Sequence, residues 1–256
     1  MHKNKKLQNL EVCNILGVNV NVTNIEDTVE ILTNNLDSIR GDYVCVSNVH
    51  TTVMSYENEN YKNIQNYGLM VLPDGKPLSI LSKIRGFKNA ERVTGPDLME
   101  EIFKISELHG YKHYFYGSTE ETLNKLKNKL NEKYPGMKIS GIYSPPFRKL
   151  TKEEDLEVIK NINKMSPDFV WVGLGAPKQE MWMYEHKNII NSVMIGVGAG
   201  FDYHAGNISR APKWMQNMSL EWLYRLMQDP RRLWKRYLKT NLKFMILNAK
   251  RTKHYE

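Results

Sequence analysis

Short apolar runs alternate with polar, helix-like stretches through most of the chain. That rhythm predicts parallel βα units. Strands are expected at Tyr43–Val46, Leu69–Leu72, His113–Tyr116, Lys138–Tyr143, Phe169–Val172 and Val193–Val197. A helix is expected over about 119–133, with Ser118 and Glu121 as a capping box and Pro135-Gly136 as its stop. A second polar helix is expected near 152–165. After about Asn207 the alternation gives way to Trp- and Arg-rich helices. The pattern therefore predicts an α/β core with a mainly parallel, doubly wound sheet over 1–207 and a helical C-terminal appendage over 208–256.

In doubly wound sheets, ligands sit beyond the carboxyl ends of the strands. Four expected strands end in polar or glycine-rich segments: S-N-V-H at 47–50, P-D-G-K-P at 73–77, G-L-G-A-P-K-Q-E at 173–180 and G-V-G-A-G-F-D at 196–202. Each alone is compatible with an ordinary βα turn, which favours the same residues. Together they can converge on one site. Asp74, at a strand end, is a candidate general base, or a turn residue bonded to its own backbone. Asn48 offers an amide to orient a sugar hydroxyl. His50 is a candidate that titrates near neutrality, or a structural histidine. Gly173 and Gly175 permit close backbone approach, and the helix behind them offers free N–H groups to an anion. Lys178 and Gln179 fall in its first turn and are expected to face the same space. The order G-x-G-x-x-K is not a G-x-G-x-x-G dinucleotide fingerprint, so the segment reads as a site for a nucleotide-sugar or its phosphates. Gly198 lies in the second glycine-lined strand end, which close helix-on-sheet packing would equally explain.

Charge sharpens this picture. Between Glu221 and Glu256 ten Lys/Arg stand against three Asp/Glu, whereas the preceding residues are nearly neutral with 26 against 25. A protein that coats nucleic acid more usually carries its charge on the folded body as well, so no nucleic-acid partner is expected. Beyond Pro230, Arg232, Lys235, Arg236, Lys239 and Lys243 fall on one helical stripe. Trp234, Tyr237, Leu238, Phe244 and Met245 fall opposite. Such a helix lies in an anionic membrane interface, packs its apolar face on the body, or does both. The first ten residues lack the apolar segment of a signal peptide, and no apolar run is long enough to span a bilayer. Two cysteines, Cys13 and Cys45, give no disulfide framework or cysteine-rich metal site. There is no D-x-D pair to hold a divalent cation against a diphosphate. The leaving group would then be neutralised by Arg, Lys and helix N-termini, with Arg92 and arginines of the appendage as candidates.

Six segments in order carry a resemblance to a known family: P-D-G at 73–75, E-R-V-x-G-x-D-L at 91–98, Y-P-G at 134–136, V-G-L-G-A-P-K-Q-E at 172–180, A-G-x-x-x-R-A-P at 205–212 and L-E-W-L-Y-R-L at 220–226. Over about Val12 to Phe244 the chain resembles the WecG/TagA/CpsF family of bacterial glycosyltransferases. The resemblance implies a Rossmann-like core, inversion without metal or cofactor, and an appendage that closes the site and attaches the enzyme to the membrane. It implies a UDP-sugar donor, a polyprenyl-diphosphate-linked sugar acceptor, and a place on the cytoplasmic membrane face in capsule, exopolysaccharide or teichoic acid synthesis. It places Asp74 as general base, Asn48 and Gln179 as pocket-lining, Arg92 near the donor phosphates, and Arg225, Arg231 and Arg232 in the arginine-bearing appendage. Members transferring N-acetylmannosamine typically read T-P-N-A-E and P-D-G-S-G. The chain's N-V-H, D-G-K-P-L and G-P-D-L are closer to members that add hexoses. Two other classes remain open on the residues alone: an NAD-dependent oxidoreductase, and a non-catalytic membrane- or nucleic-acid-binding module served by the basic tail. Homo-oligomerisation is compatible with the sequence, which carries no signal for or against it.

Overall fold

The described part of the chain begins with a hairpin that the apolar alternation does not mark, β1 (Val12–Ile15) paired antiparallel with β2 (Val18–Asn21) around Leu16-Gly17. The computed structural model describes residues 10–218 and 220–252, without the side chains of 213, 217, 232, 236 and 250–252. The strands that follow are β3 (Tyr43–Ser47), β4 (Met70–Pro73), β5 (Lys112–Gly117), β6 (Lys138–Tyr143), β7 (Phe169–Gly173) and β8 (Val193–Gly196). These are the six expected strands, each end within one residue of its expected place. They form one parallel sheet in the order β4-β3-β8-β7-β5-β6.

The helices between them, in chain order, are α1 (Ile25–Asn34), α2 (Leu36–Ile39), α3 (Val49–Glu57), α4 (Glu59–Tyr67), α5 (Lys76–Ile84) and α6 (Gly95–His109). There follow α7 (Glu120–Lys133), α8 (Lys152–Met165), α9 (Lys178–Glu185) and α10 (Gly200–Ala205). The C-terminal region adds α11 (Lys213–Asn217), α12 (Glu221–Gln228) and α13 (Pro230–Thr252).

A parallel sheet must be covered on both faces, because its strands are apolar on both. On one face Val44, Leu72, Phe115 and Trp171 pack against Leu32 of α1, Phe103 of α6, Leu126 of α7 and Phe201 of α10. On the other, Cys45, Val71, Tyr116 and Val172 meet the hairpin, Val53 of α3, Ile162 of α8 and Trp182 of α9. Phe244 of α13 joins this second core, so the appendage closes part of it.

The cap expected at Ser118 is corrected. Ser118 adopts a left-handed φ of 60° at the strand exit, and Thr119 takes the cap, its hydroxyl accepting Thr122 N–H at 3.2 Å. The cap on α8 has the full reciprocal pattern, Glu154 N–H to Thr151 Oγ1 at 3.2 Å and Thr151 N–H to Glu154 Oε2 at 2.8 Å.

The wheel assignment of the tail is also corrected. Among the described side chains of α13, Leu233, Thr240, Phe244 and Asn248 are buried, and the helix packs on α3. Lys243 pairs with Glu57, and Arg85 Nη2 donates to Asn248 Oδ1 at 3.2 Å. Trp234, Leu238 and Met245, expected to share a face with Phe244, are instead exposed together with Leu242. One broad apolar arc thus divides into a docked strip and an outward strip. No helix among the described residues is long and apolar enough to cross a membrane.

One polar side chain in the first core sets an acid limit. His113 is fully buried, with Trp171 Nε1 donating to its Nδ1 at 3.0 Å and Ser106 Oγ 2.9 Å from its Nε2. Trp Nε1 is only a donor, so Nδ1 accepts and Nε2 carries the hydrogen. Burial pulls the His113 pKa down to about 3. The unfolded chain therefore binds a proton below the ordinary histidine pKa of about 6.5 that the folded chain refuses. The contribution is complete above pH 6.5 and is lost as pH falls towards 3. From pH 6.5 to 5 unfolding by urea should become easier by about 2 kcal/mol at this site. His113→Gln should flatten that slope; an unchanged slope would assign the acid sensitivity elsewhere.

Candidate active site

The carboxyl ends of four contiguous strands, β4, β3, β8 and β7, open into a cleft of about 560 Å³. They are the four whose polar or glycine-rich endings stand out in the sequence. Asn48, His50, Asp74, Arg92, Gly173, Gly175, Gln179, Gly198 and Arg225 all line the cleft.

Asp74 follows the last residue of β4, and its N–H extends the ladder to Ser47 O at 2.8 Å. This leaves its side chain at the strand end, in the cleft. Burial raises its pKa above the ordinary carboxylate value; Arg92, Arg225 and a hydrogen bond from the Asn48 side chain pull it back, and Glu221 adds to the rise. A carboxylate so placed is a stronger base than one in water.

Asn48 has a structural task as well. Its Oδ1 accepts the N–H of His50 at 3.0 Å and of Thr51 at 3.3 Å, capping α3, and Thr51 Oγ1 completes the box at 2.8 Å to Asn48 N–H. The carbonyl end of the amide is used by the helix, leaving the NH₂ end for Asp74.

Arg92 is committed within the protein. Its Nε donates to Asp74 O at 2.7 Å, and its Nη2 pairs with Glu221 from α12. It thereby joins the β4 turn to the appendage. Arg225, one turn further along α12, lies 5.7 Å from the Tyr203 ring centroid, and its buried Nε has no hydrogen-bond partner among the described residues. A second link runs beside it: Asp97, which takes the Thr94 hydroxyl at 2.6 Å, pairs through both oxygens with Arg210. The segments at 91–98 and 205–212 are thus two halves of one contact.

Gly173 lies so close to Phe201 that a Cβ would come within 2.6 Å of the ring, and Gly175 has a φ of +76°. One expectation for this turn is corrected: Lys178 and Gln179 do not face the same space. The N–H groups of Gly175 and Gly198 both go to Gln179 Oε1, at 3.2 and 3.0 Å. Lys178 is exposed and does not line the cleft, because it is rotated about 100° from buried Gln179 on α9. Arg231 is likewise exposed and off the cleft, on the side of α13 away from buried Leu233. The side chain of Arg232 lies outside the described residues.

The structure adds lining residues that the sequence did not single out: Asp202, Tyr203, Glu221, Trp222 and Tyr237. Glu221 and Trp222 stand inside the 220–226 segment beside Arg225, and Asp202 ends the 196–202 segment, so adjacency to a marked motif was their available signal. Tyr237 had only its place on a helix stripe. Among the described residues no group of three or more His, Cys, Asp or Glu is placed to hold a metal ion.

A carboxyl of raised pKa at the sheet's carboxyl edge, flanked by guanidinium groups, defines an α/β enzyme whose ligand site is formed at the strand ends. The profile of the Glycosyl transferase WecG/TagA/CpsF family matches residues 13–255, and the chain belongs to that family. It is similar to an N-acetylglucosaminyldiphosphoundecaprenol N-acetyl-beta-D-mannosaminyltransferase of Bacillus subtilis (strain 168), at 30% identity over 91% of this chain and 88% of the relative. The enzymes so named from Bacillus spizizenii and Staphylococcus aureus (strain MW2) are 30% and 31% identical, over 79% and 87% of this chain and 77% and 85% of the relatives. The protein is a glycosyltransferase. That removes the oxidoreductase and the non-catalytic module as readings of the cleft.

Proposed function

We propose that the protein transfers a hexose or N-acetylhexosamine from a UDP-sugar to a polyprenyl-diphosphate-linked sugar, with inversion and without a metal ion. The product would extend an envelope polysaccharide (capsule, exopolysaccharide or teichoic acid) at the cytoplasmic membrane surface. The acceptor class is supported by the relatives, whose names specify an undecaprenol-diphosphate-linked sugar. The observation that carries the mechanism is Asp74, a carboxyl of raised pKa at the end of β4 that lines the cleft.

In that mechanism Asp74 takes the proton from the acceptor hydroxyl. The oxygen attacks the anomeric carbon, the new C–O bond forms, and UDP leaves with the electron pair of the broken bond. One displacement inverts the centre. Charge develops on the leaving diphosphate, and Arg225, with a donor to spare, is placed to meet it. Arg92 serves the same end once phosphate replaces Glu221 as its partner. The region 208–256 is read as the appendage that supplies Arg225 and Glu221 to the site, and its exposed strip as the surface that meets lipid.

The test is a donor screen: UDP-sugars are offered with a short lipid-diphosphate-sugar acceptor, in the presence of EDTA. Transfer with release of UDP, undiminished by EDTA, is the expected result. A strict Mg²⁺ or Mn²⁺ requirement would overturn the phosphate assignment, since hard cations need oxygen ligands that the arginine reading does not supply. Failure of every UDP-sugar alongside activity with another nucleotide donor would overturn the donor class.

A further inference from the structure

Beside the cleft lies a carboxyl that this mechanism does not use. Glu180, in the first turn of α9, is 1% exposed. Its Oε1 accepts Gln179 Nε2 at 2.8 Å, and its Oε2 is fully buried. Burial holds the carboxyl above its ordinary range, against the opposing pull of the Gln179 amide and the Tyr61 hydroxyl.

The partner of Glu180 explains why an acceptor sits there. Gln179 Oε1 receives two backbone N–H groups, from Gly175 beyond β7 and Gly198 beyond β8. The two ends of an amide have nearly the same shape and opposite polarity. Turned over, Gln179 would aim its NH₂ at two donors. An oxygen facing Nε2 makes the observed orientation the satisfied one. The hydrogen-bond chain from Glu180 through Gln179 therefore ends on two separate strand-end loops, and both loops line the cleft.

We propose that Glu180 is a positioning residue: by fixing the Gln179 amide it holds the Gly175 and Gly198 loops in register and so sets the floor on which the donor rests opposite Asp74. Its catalytic consequence rests on the donor reading above; the clamp itself does not. Glu180 touches neither substrate nor reacting atom. It acts through placement, where an error of about 1 Å costs on the order of 10²-fold.

Two variants separate this from simple packing. Glu180→Met keeps the length and apolar fit and removes the acceptor; Glu180→Gln keeps an acceptor oxygen without an acid. Hydrogen exchange of the Gly175 and Gly198 amides, read by NMR, is the direct measurement. Both amides should be protected in the wild type and in Glu180→Gln, and exchange at least about tenfold faster in Glu180→Met. UDP affinity and kcat/KM should follow, falling by roughly 10- to 100-fold in Glu180→Met and returning to near wild type in Glu180→Gln. In a Gln179→Met background, Glu180→Met should add nothing further.

Unchanged protection and unchanged kcat/KM in Glu180→Met would overturn the proposal, even if that variant melts earlier. Equal impairment in Glu180→Gln would also overturn it, by making the acid rather than the acceptor the requirement. A wild type that does not bind UDP would refute the donor reading instead, and the exchange rates would still decide whether the clamp exists.

Discussion

Asp74→Asn should retain the fold and bind UDP with near wild-type affinity while losing roughly 10²- to 10⁴-fold in kcat, the usual contribution of a positioned general base. The substitution conserves shape, and the ladder bond from Asp74 N–H to Ser47 O is independent of the side chain. The carbonyl oxygen of the substituted amide could still accept from the Asn48 side chain. What disappears is the lone pair that takes the acceptor proton. The pH profile offers an independent check. Burial raises the Asp74 pKa, so the acid limb of kcat/KM should lie above the ordinary aspartate value. Below that limb the base is protonated and the rate falls; above it the rate is level with respect to this group.

Two other carboxylates line the cleft, and they supply the competing outcome. Glu221 is held by Arg92, and Asp202 Oδ1 accepts Asn207 Nδ2 at 3.1 Å. Near wild-type turnover in Asp74→Asn, together with a deep loss in Glu221→Gln, would move the base to Glu221. Loss of UDP binding along with turnover in Asp74→Asn would instead make Asp74 a ligand-binding group, and the rate alone would not establish a base.

Much of this site was legible in the sequence because strand endings and fold are coupled. Parallel strands have to be apolar on both faces, so polar residues and glycines accumulate where each strand leaves the sheet, and ligands bind at that edge. Asn48, Asp74, Gly173 and Gly198 were identifiable for that reason, before the strand order was known. The order β4-β3-β8-β7 then brings the four endings together, a fact of topology that no local pattern carries.

Side-chain direction was less legible. Lys178 and Gln179 are neighbours in the same first turn, yet one is exposed and the other buried with its oxygen on two backbone amides. Arg92 reads as a candidate partner of the leaving diphosphate, and its engagement with Glu221 joins residues 129 positions apart. The hairpin β1–β2 was missed because its two strands of four residues are too short to show an alternation. In the tail the helix and its apolar arc were legible, but not the arc's partners. A wheel can separate apolar from basic positions, but it cannot divide one apolar arc between two partners. Phe244 went to the body, while Trp234, Leu238, Leu242 and Met245 stayed outside.

That division changes how membrane attachment is best tested. Deleting the chain from Pro230 would remove buried Leu233 and take Phe244 out of the second core, so lost activity could come from an opened core rather than from a lost membrane contact. Substitutions confined to the outward strip avoid this. Trp234, Leu238, Leu242 and Met245 are 48%, 65%, 53% and 60% exposed, and Lys235 and Lys239 are exposed on the same helix. An apolar strip bordered by lysines is the arrangement of a helix lying in an anionic interface. Each Lys near such a surface is worth about 1 kcal/mol, so Lys235→Gln with Lys239→Gln should weaken partitioning onto phosphatidylglycerol vesicles by about 2 kcal/mol, or ~30-fold. Trp234→Ser with Leu238→Ser should weaken it further, and combining the four should abolish co-sedimentation with vesicles. Turnover on a water-soluble acceptor analogue should stay near wild type in all of these variants, because none of the four residues lines the cleft. Undiminished vesicle binding in the fourfold variant would refute this strip as the membrane contact. Intact vesicle binding with reduced turnover would show that the strip acts on the site through Tyr237 and Trp222, whose rings meet edge to face at 5.9 Å on the cleft wall.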